Sequence, residues 1–452
     1  MWSAIQSLFR RHKPSLSPKA TTFSEELFGK ALGEIQRGDL EKALATLDNL
    51  LKLEPENLQA LVYYGMAAMP RDFAKAGNAL DRALSLNPQD PGALSWTVDL
   101  RWMQKDWGYA IDLLKRLVYL HPSPHQWYRL GLLYKEAGHS EKAKAAFRKA
   151  AGAESKGFPA ELSLKERARR LFYLHQLDES EAFASEIEDL YGKASKNPVW
   201  PLPESLKSLR KCFFGKNLLV LATGPSLGLL DQYLADLDPD ERKKAAAFGF
   251  NNVPVTQQKI MENHLGSLSA VLLSHPQVAK LHEEWLLKFL DDPQKVFCLP
   301  RWALSDSSAL SKYAEDRPSQ FLFYNSSEDH PPIPEDPFHF PPVNTLMHVL
   351  AISLISQPRK IFLFGCDGGT QVGKYFQVGS SLYGHQRPPG DTYEPWLRKD
   401  TFYLDEMIKP LLHATAQLWQ SPIPPIFNCN LGSGFRAFPK INPSQFLVEF
   451  HS

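Results

Sequence analysis

Apolar positions change rhythm half-way along the chain: through residue 155 they recur at helical spacing inside a longer period, and from residue 217 they gather in short runs. In the first half, Asp-Leu-Glu-Lys-Ala43, Asp-Phe-Ala-Lys-Ala76, Asp-Trp-Gly-Tyr-Ala110 and His-Ser-Glu-Lys-Ala143 recur at intervals of 33, 34 and 33 residues. A proline follows the first three twelve residues later, at Pro55, Pro88 and Pro122. This spacing predicts pairs of antiparallel helices, with the small alanines where two helices cross closely and the proline ending the second helix. One such unit cannot bury its own apolar face, but stacked units can, and they form a curved α-solenoid whose concave surface suits an extended peptide or another helix. An array that only spaces or dimerises the protein would show the same pattern.

Residues 156–196 read as a helical cap on that array, with Leu164, Ala168, Leu171, Leu174 and Leu177 at helical spacing. The stretch 197–216, with three prolines and a basic run, reads as a linker. Beyond it lie strand-length apolar runs: NLLVLA from residue 217, AAAFGFNNV (245–253), LSAVLLSH (268–275), KVFCLP (295–300), QFLFYN (320–325), KIFLFGCD (360–367) and PIFNCN (425–430). Helical patterns separate several of them, notably VNTLMHVLAISLIS and FYLDEMIKPLLHATAQLW. Alternation of this kind predicts a Rossmann-like, mostly parallel sheet covered on both faces. The expected order is a flexible terminus (1–22), a repeat array (23–155), the cap (156–196), the linker (197–216) and an α/β domain (217–452).

Charge and composition narrow the partners. With 51 basic and 50 acidic residues the net charge is +1, so no basic footprint favours nucleic acid. The four cysteines, Cys212, Cys298, Cys366 and Cys429, form no Cys-x-x-Cys pair and read as core residues of a reducing compartment. No stretch approaches the roughly 20 apolar residues of a membrane span, and the N-terminus lacks a secretory apolar region, which points to the cytoplasm. The opening MWSAIQSLFRRHK is compatible with weak peripheral membrane association through Trp2, Ile5, Leu8 and Phe9, as well as with a frayed end.

Ligands of open parallel sheets bind at the carboxyl ends of the strands, and polar residues cluster there. In ATGPSL (222–227), Gly224 allows close backbone approach, Pro225 stiffens the turn, and Thr223 and Ser226 offer hydroxyls before a helix N-terminus suited to phosphate. Ser226 reads equally as a simple helix cap. Asn251 and Asn252 are either base- or ribose-binding amides or a turn pair. Asp367, before two glycines, reads as a ligand-facing carboxylate or a tight turn. The polar segment 370–400 reads as an active-site lid carrying Lys374, Tyr375, Tyr383, His385, Arg387, Tyr393, Trp396 and Arg398. His385 is the candidate general base, or a surface histidine.

The last repeat carries Trp127, Leu130, Gly131, Tyr134, Ala143, Phe147 and Ala150, and it resembles the tetratricopeptide pattern almost position for position. In the second half, ATGPSL, FGFNN, PPVNTLMHVLAISLI, RKIFLFGCD, YGHQ and PIFNCN in this order resemble the bacterial sialyltransferases that use CMP-activated sugars. They are also similar to the related motility-associated factors that attach nonulosonic acids to flagellin, and IFNCNLGSGFRAFPKI looks like that branch in particular. The resemblance, over residues 216–452, implies that Gly224, Pro225 and Ser226 form the nucleotide loop and that Asn251, Asn344 and Thr345 contact the donor. It implies further that Tyr375 and Tyr383 hold the leaving phosphate and that His385 is the base of an inverting transfer to a protein or glycan hydroxyl. Thr223 stands where the sialyltransferases favour asparagine. No Asp-x-Asp pair occurs in this half, so no cofactor or obligatory metal is expected; magnesium, if used, would sit at Asp367. Two other readings remain: a phosphotransferase similar to archaeal pterin diphosphokinases, which share a Gly-Pro-Ser loop, and a non-catalytic tetratricopeptide adaptor with a degenerate transferase domain.

Overall fold

The structure is a computed structural model that describes residues 23–37, 39–70, 72–152, 162–177, 180–195, 203–222, 224–250, 268–273, 283–301, 308–326, 328–341, 344–367 and 393–452. The chain divides into two compact units. The first holds four antiparallel helix pairs: α1 (Phe23–Arg37) with α2 (Leu40–Leu53), α3 (Leu58–Ala68) with α4 (Phe73–Leu86), α5 (Pro91–Met103) with α6 (Trp107–Leu120), and α7 (Pro124–Glu136) with α8 (Ser140–Ala150).

The two ends of the repeated pentapeptide have separate jobs. Asp72 and Asp106 cap α4 and α6 by accepting hydrogen bonds from the Lys75 and Tyr109 backbone N–H groups. One turn later Ala43, Ala76, Ala110 and Ala143 are buried at the helix crossings. The facing first helices are just as tightly constrained. A Cβ on Gly65 would lie 2.5 Å from Leu80, and one on Gly131 would lie 2.5 Å from the buried Phe147 ring. Successive repeats are also stapled, because Arg82 donates to the Pro55 carbonyl and Arg116 to the Pro88 carbonyl, each at 2.7 Å. The first helices α3 and α5 touch directly, and Arg129 of α7 bridges to Ser95 and Asp99 of α5. The first helices thus form one row, here called the inner face of the array, and the second helices the other, its outer face.

The segment expected as a cap forms α9 (Leu164–His175) and α10 (Ser180–Ser195). Its middle, Tyr173–Phe183, belongs to the first unit, while Ser163–Phe172 and residues from Ala184 belong to the second. The expected linker contains a helix, α11 (Glu204–Phe213). Leu206, Leu209 and Phe213 share one buried face there, and Phe213 meets the Phe248 ring at 5.5 Å. Pro203 is the N-cap of α11. In the basic run Lys207 and Lys211 are exposed, whereas Arg210 is half-buried and donates to the Ile355 carbonyl at 3.1 Å.

The second unit is built on a seven-stranded parallel sheet: β1 (Asn217–Leu221), β2 (Ala246–Phe250), β3 (Ala270–Leu272), β4 (Val296–Pro300), β5 (Phe321–Tyr324), β6 (Lys360–Phe364) and β7 (Ile426–Asn428). Each falls inside one of the apolar runs seen in the sequence. β1, β2, β4 and β6 are buried along their whole length, as expected of strands covered on both faces. The spatial order is β5-β4-β3-β2-β1-β6-β7. After β5 the chain crosses the sheet through α12 (Thr345–Ile355) to enter β6 beside β1, and α13 (Tyr393–Trp419) then leads to β7. The C-terminal α14 (Pro443–His451) starts with an Asn442–Gln445 capping box and sinks Phe446 and Phe450 against Phe362.

The crossing geometry gives a paired prediction. Gly131→Val should destabilise the array by about 1–3 kcal/mol, because Phe147 has nowhere to retreat. Gly108→Ala, with open space around the added methyl, should be neutral or stabilising by up to about 1 kcal/mol. Urea unfolding followed by circular dichroism checks both.

Candidate functional site

The strand order reverses between β1 and β6, and in open parallel sheets the crevice beyond such a reversal is where ligands bind. The residues that leave β1, β6 and β7 converge there. Past β1, the Ala222 and Gly224 N–H groups donate to the Phe364 and Gly365 carbonyls at 2.8 and 3.0 Å, which extends the β1–β6 pairing into the loops. Gly365 has φ +73°, a backbone conformation that a glycine adopts without strain. Pro225–Leu229 then form a short 3-10 turn.

Asp367 is the hub of this site. It is 6% exposed, and its Oδ2 accepts the Ser226 N–H at 3.1 Å. Its Oδ1 accepts from the Asn430 side-chain amide, and its backbone carbonyl accepts the Gly434 N–H at 2.9 Å. Burial raises the carboxyl above its usual range, and the bonds from Ser226 and Asn430 only partly offset this. Ser433 Oγ and Asn428 Nδ2 both donate to the neighbouring Cys366 carbonyl, while Asn428 Oδ1 is buried without a partner.

Gly224 and Asp367 are also locked to each other by internal packing. A Cβ on Gly224 would lie 2.0 Å from Asp367 Oδ2 and 2.2 Å from the Gly365 carbonyl, so glycine is required by internal packing, not by ligand approach alone. Both Asp367 oxygens accept protein hydrogen bonds, which leaves this carboxylate poorly suited to a metal ion. The N–H groups of Gly224, Ser226 and Leu227 likewise have protein acceptors. A phosphate would therefore meet the edge of this loop instead of a row of unclaimed donors. Among the described residues, no group of three His, Cys, Asp or Glu side chains could hold a metal.

Asn344 is the N-cap of α12, accepting the Leu346 N–H at 2.9 Å, and it brings Thr345 to the carboxyl side of the sheet. One turn on, His348 is buried between Tyr324 and Phe340, with Nε2 2.9 Å from the Pro341 carbonyl; burial pushes its pKa down to about 4. Thr223, Asn251, Asn252, Lys374, Tyr375, Tyr383, His385 and Arg387 lie outside the described residues. Tyr393, Trp396 and Arg398, read from sequence as lid residues, lie on α13. Sequence reasoning singled out neither Asn430 nor Ser433. The signal was the Asn-Cys-Asn that ends β7, whose importance depends on β7 lying next to β6.

The repeat segments have recognisable relatives. Residues 28–69 and 71–124 match one tetratricopeptide-repeat family model, and residues 126–156 match another. The array is built of tetratricopeptide repeats. No curated protein matches the chain by sequence. Among solved structures, a MamA protein is 20% identical, covering 40% of this chain and 98% of its own at a TM-score of 0.32. MamA from Desulfovibrio magneticus RS-1 is 21% identical, covering 38% and 94% at 0.30. An O-GlcNAc transferase from Thermobaculum terrenum is 13% identical, covering 80% and 92% at 0.29. Superpositions this loose say nothing about chemistry. No helix among the described residues is long and apolar enough to cross a membrane.

Two predictions follow from the burial. Gly224→Ala should destabilise the α/β unit by about 1–3 kcal/mol, read as a lower melting temperature, since backbone at Gly365 cannot yield. The second concerns pH. Asp367, with a raised folded-state pKa, stabilises most at acid pH and less as pH rises through that value. His348, with a lowered one, contributes fully above about pH 6.5 and loses that contribution as pH falls through about 4. The melting-temperature gap between wild type and Asp367→Asn should therefore narrow from pH 4 to 7, and that for His348→Gln should widen.

Proposed function

We propose that the α/β unit is a glycosyltransferase that moves a sialic-type (nonulosonic acid) sugar from a CMP donor to a hydroxyl of a protein or surface glycan. The observation that carries this reading is the order reversal at β1 and β6, where the Gly224–Ser226 loop, Asp367 and Asn430 are fastened together in a chain that also carries a tetratricopeptide repeat array. The β1 loop and the start of α12 bring Ser226, Asn344 and Thr345 to the carboxyl side of the sheet, where a nucleotide would lie.

In this reading Asp367 is a positioning residue that fixes the loop, and Thr223, Gly224, Pro225, Ser226, Asn251, Asn252, Asn344 and Thr345 form the wall along the nucleotide. His385 takes the proton from the acceptor hydroxyl as its oxygen attacks the anomeric carbon. The bond from that carbon to the phosphate oxygen breaks, and CMP leaves as a phosphate monoester whose charge is stabilised by the Tyr375 and Tyr383 hydroxyls. The configuration inverts, and no cofactor enters the step. Flagellin-like polypeptides are the acceptor class that best fits a transferase joined to tetratricopeptide repeats.

CMP release from CMP-activated nonulosonic acid tests the proposal. With an acceptor present, the wild type should release CMP, and His385→Ala should slow turnover by about 10²–10⁴-fold while leaving donor KM within a few fold. Transfer of phosphate from ATP with no CMP-sugar turnover would replace this reading with a phosphotransferase, and no turnover of either with an adaptor.

A further inference from the structure

We propose that the outer face of the array, in the groove between α6 and α8, docks an acidic peptide that carries an apolar anchor. The groove encloses about 560 Å³ and is lined by Lys115, Tyr119, Trp127, Lys142, Ala146 and Lys149 among others. It exists because α8 is alanine-rich: small side chains at Ala145 and Ala146 leave a depression over the Trp127 and Leu130 side chains of α7. Tyr119, at 86% exposure, stands at its edge as one of the most solvent-exposed large apolar side chains of the described chain.

The rim is positively charged. α8 carries Lys142, Lys144, Arg148 and Lys149 against the single acid Glu141. Lys144 pairs with Glu141 at 4.0 Å and Lys115 with Asp112 at 3.5 Å. Lys142 and Lys149 instead lie over aromatic rings, 5.9 Å from the Tyr134 centroid and 4.5 Å from that of Trp127. Among the described residues no carboxylate lies within ion-pair distance of either. A ring face restrains a lysine without neutralising it, so two ammonium groups stand ready beside an apolar floor. Carboxylates spaced around an apolar side chain complement this arrangement. Nucleic acid would need a longer basic stripe, and the chain as a whole carries a net charge of only +1.

The inner face is differently committed. Asp99 there pairs with Arg129 at 2.9 Å and with Lys399, which belongs to the same unit, at 2.5 Å. Burial works against the Asp99 charge, but the two cations more than offset it and hold the carboxyl below its usual range. Around Asp99 the inner face thus has its charges matched, whereas Lys142 and Lys149 of the outer groove have no carboxylate partner among the described residues. This inference does not depend on the chemistry of the α/β unit.

The test uses the full-length protein and a short fluorescein-labelled peptide in which Glu and Asp alternate with Phe and Leu, read by fluorescence anisotropy. The peptide should bind saturably and more weakly as salt rises. Lys142→Glu and Lys149→Glu should each weaken it on the order of tenfold, and the exposed-site variants Lys42→Glu and Lys75→Glu should leave it unchanged, with circular dichroism confirming that all four remain folded. A peptide with Ser in place of Phe and Leu should lose binding. Absence of saturable binding, equal weakening by Lys42→Glu, or tighter binding of a single-stranded RNA of equal charge would overturn the proposal.

Discussion

The Asp367 carboxylate ties together loops that arrive from three strands: one oxygen holds the Ser226 N–H after β1, the other holds the Asn430 amide after β7, and the residue itself ends the β6 segment. A buried carboxylate is costly unless it is hydrogen-bonded on both sides, and here its partners are the very loops that frame the crevice. Gly224 completes the arrangement, because any side chain there would press on Asp367 and on the Gly365 carbonyl. The candidate site is therefore preorganised by the protein's own contacts.

The sequence disclosed the elements better than their alliances. All seven strands were legible because each is a strand-length apolar run, and the repeat was legible because Ala43, Ala76, Ala110 and Ala143 keep a fixed period. α11 was hidden by Pro198, Pro201 and Pro203, which draw the eye to a linker even though Leu206, Leu209 and Phe213 follow at helical spacing. Asn430 could not be assigned a role without knowing that β7 lies beside β6, and the closeness of Gly224 to Asp367 is equally invisible along the chain. Pairing across a parallel sheet is non-local information, which a pattern along one chain does not carry.

The array shows the same division. The cap Asp72 and the crossing residue Ala76 are read from a single pentapeptide, whereas the Arg82 and Arg116 staples link positions 27 and 28 residues apart and belong to the stack. The distribution of charge also becomes visible only in three dimensions. A chain that is nearly neutral overall matches its charges on the inner face, at Asp99, Arg129 and Lys399, and leaves Lys142 and Lys149 over aromatic rings on the outer one.

The central claim is that the crevice at β1 and β6 holds the nucleotide of a CMP-activated donor. Its most direct test is calorimetric titration of the protein with CMP, compared with UDP, GDP and ATP. The account predicts saturable binding selective for CMP, weakened by Tyr375→Phe and largely kept in His385→Ala; a preference for ATP, or no binding of any of the four, would contradict it.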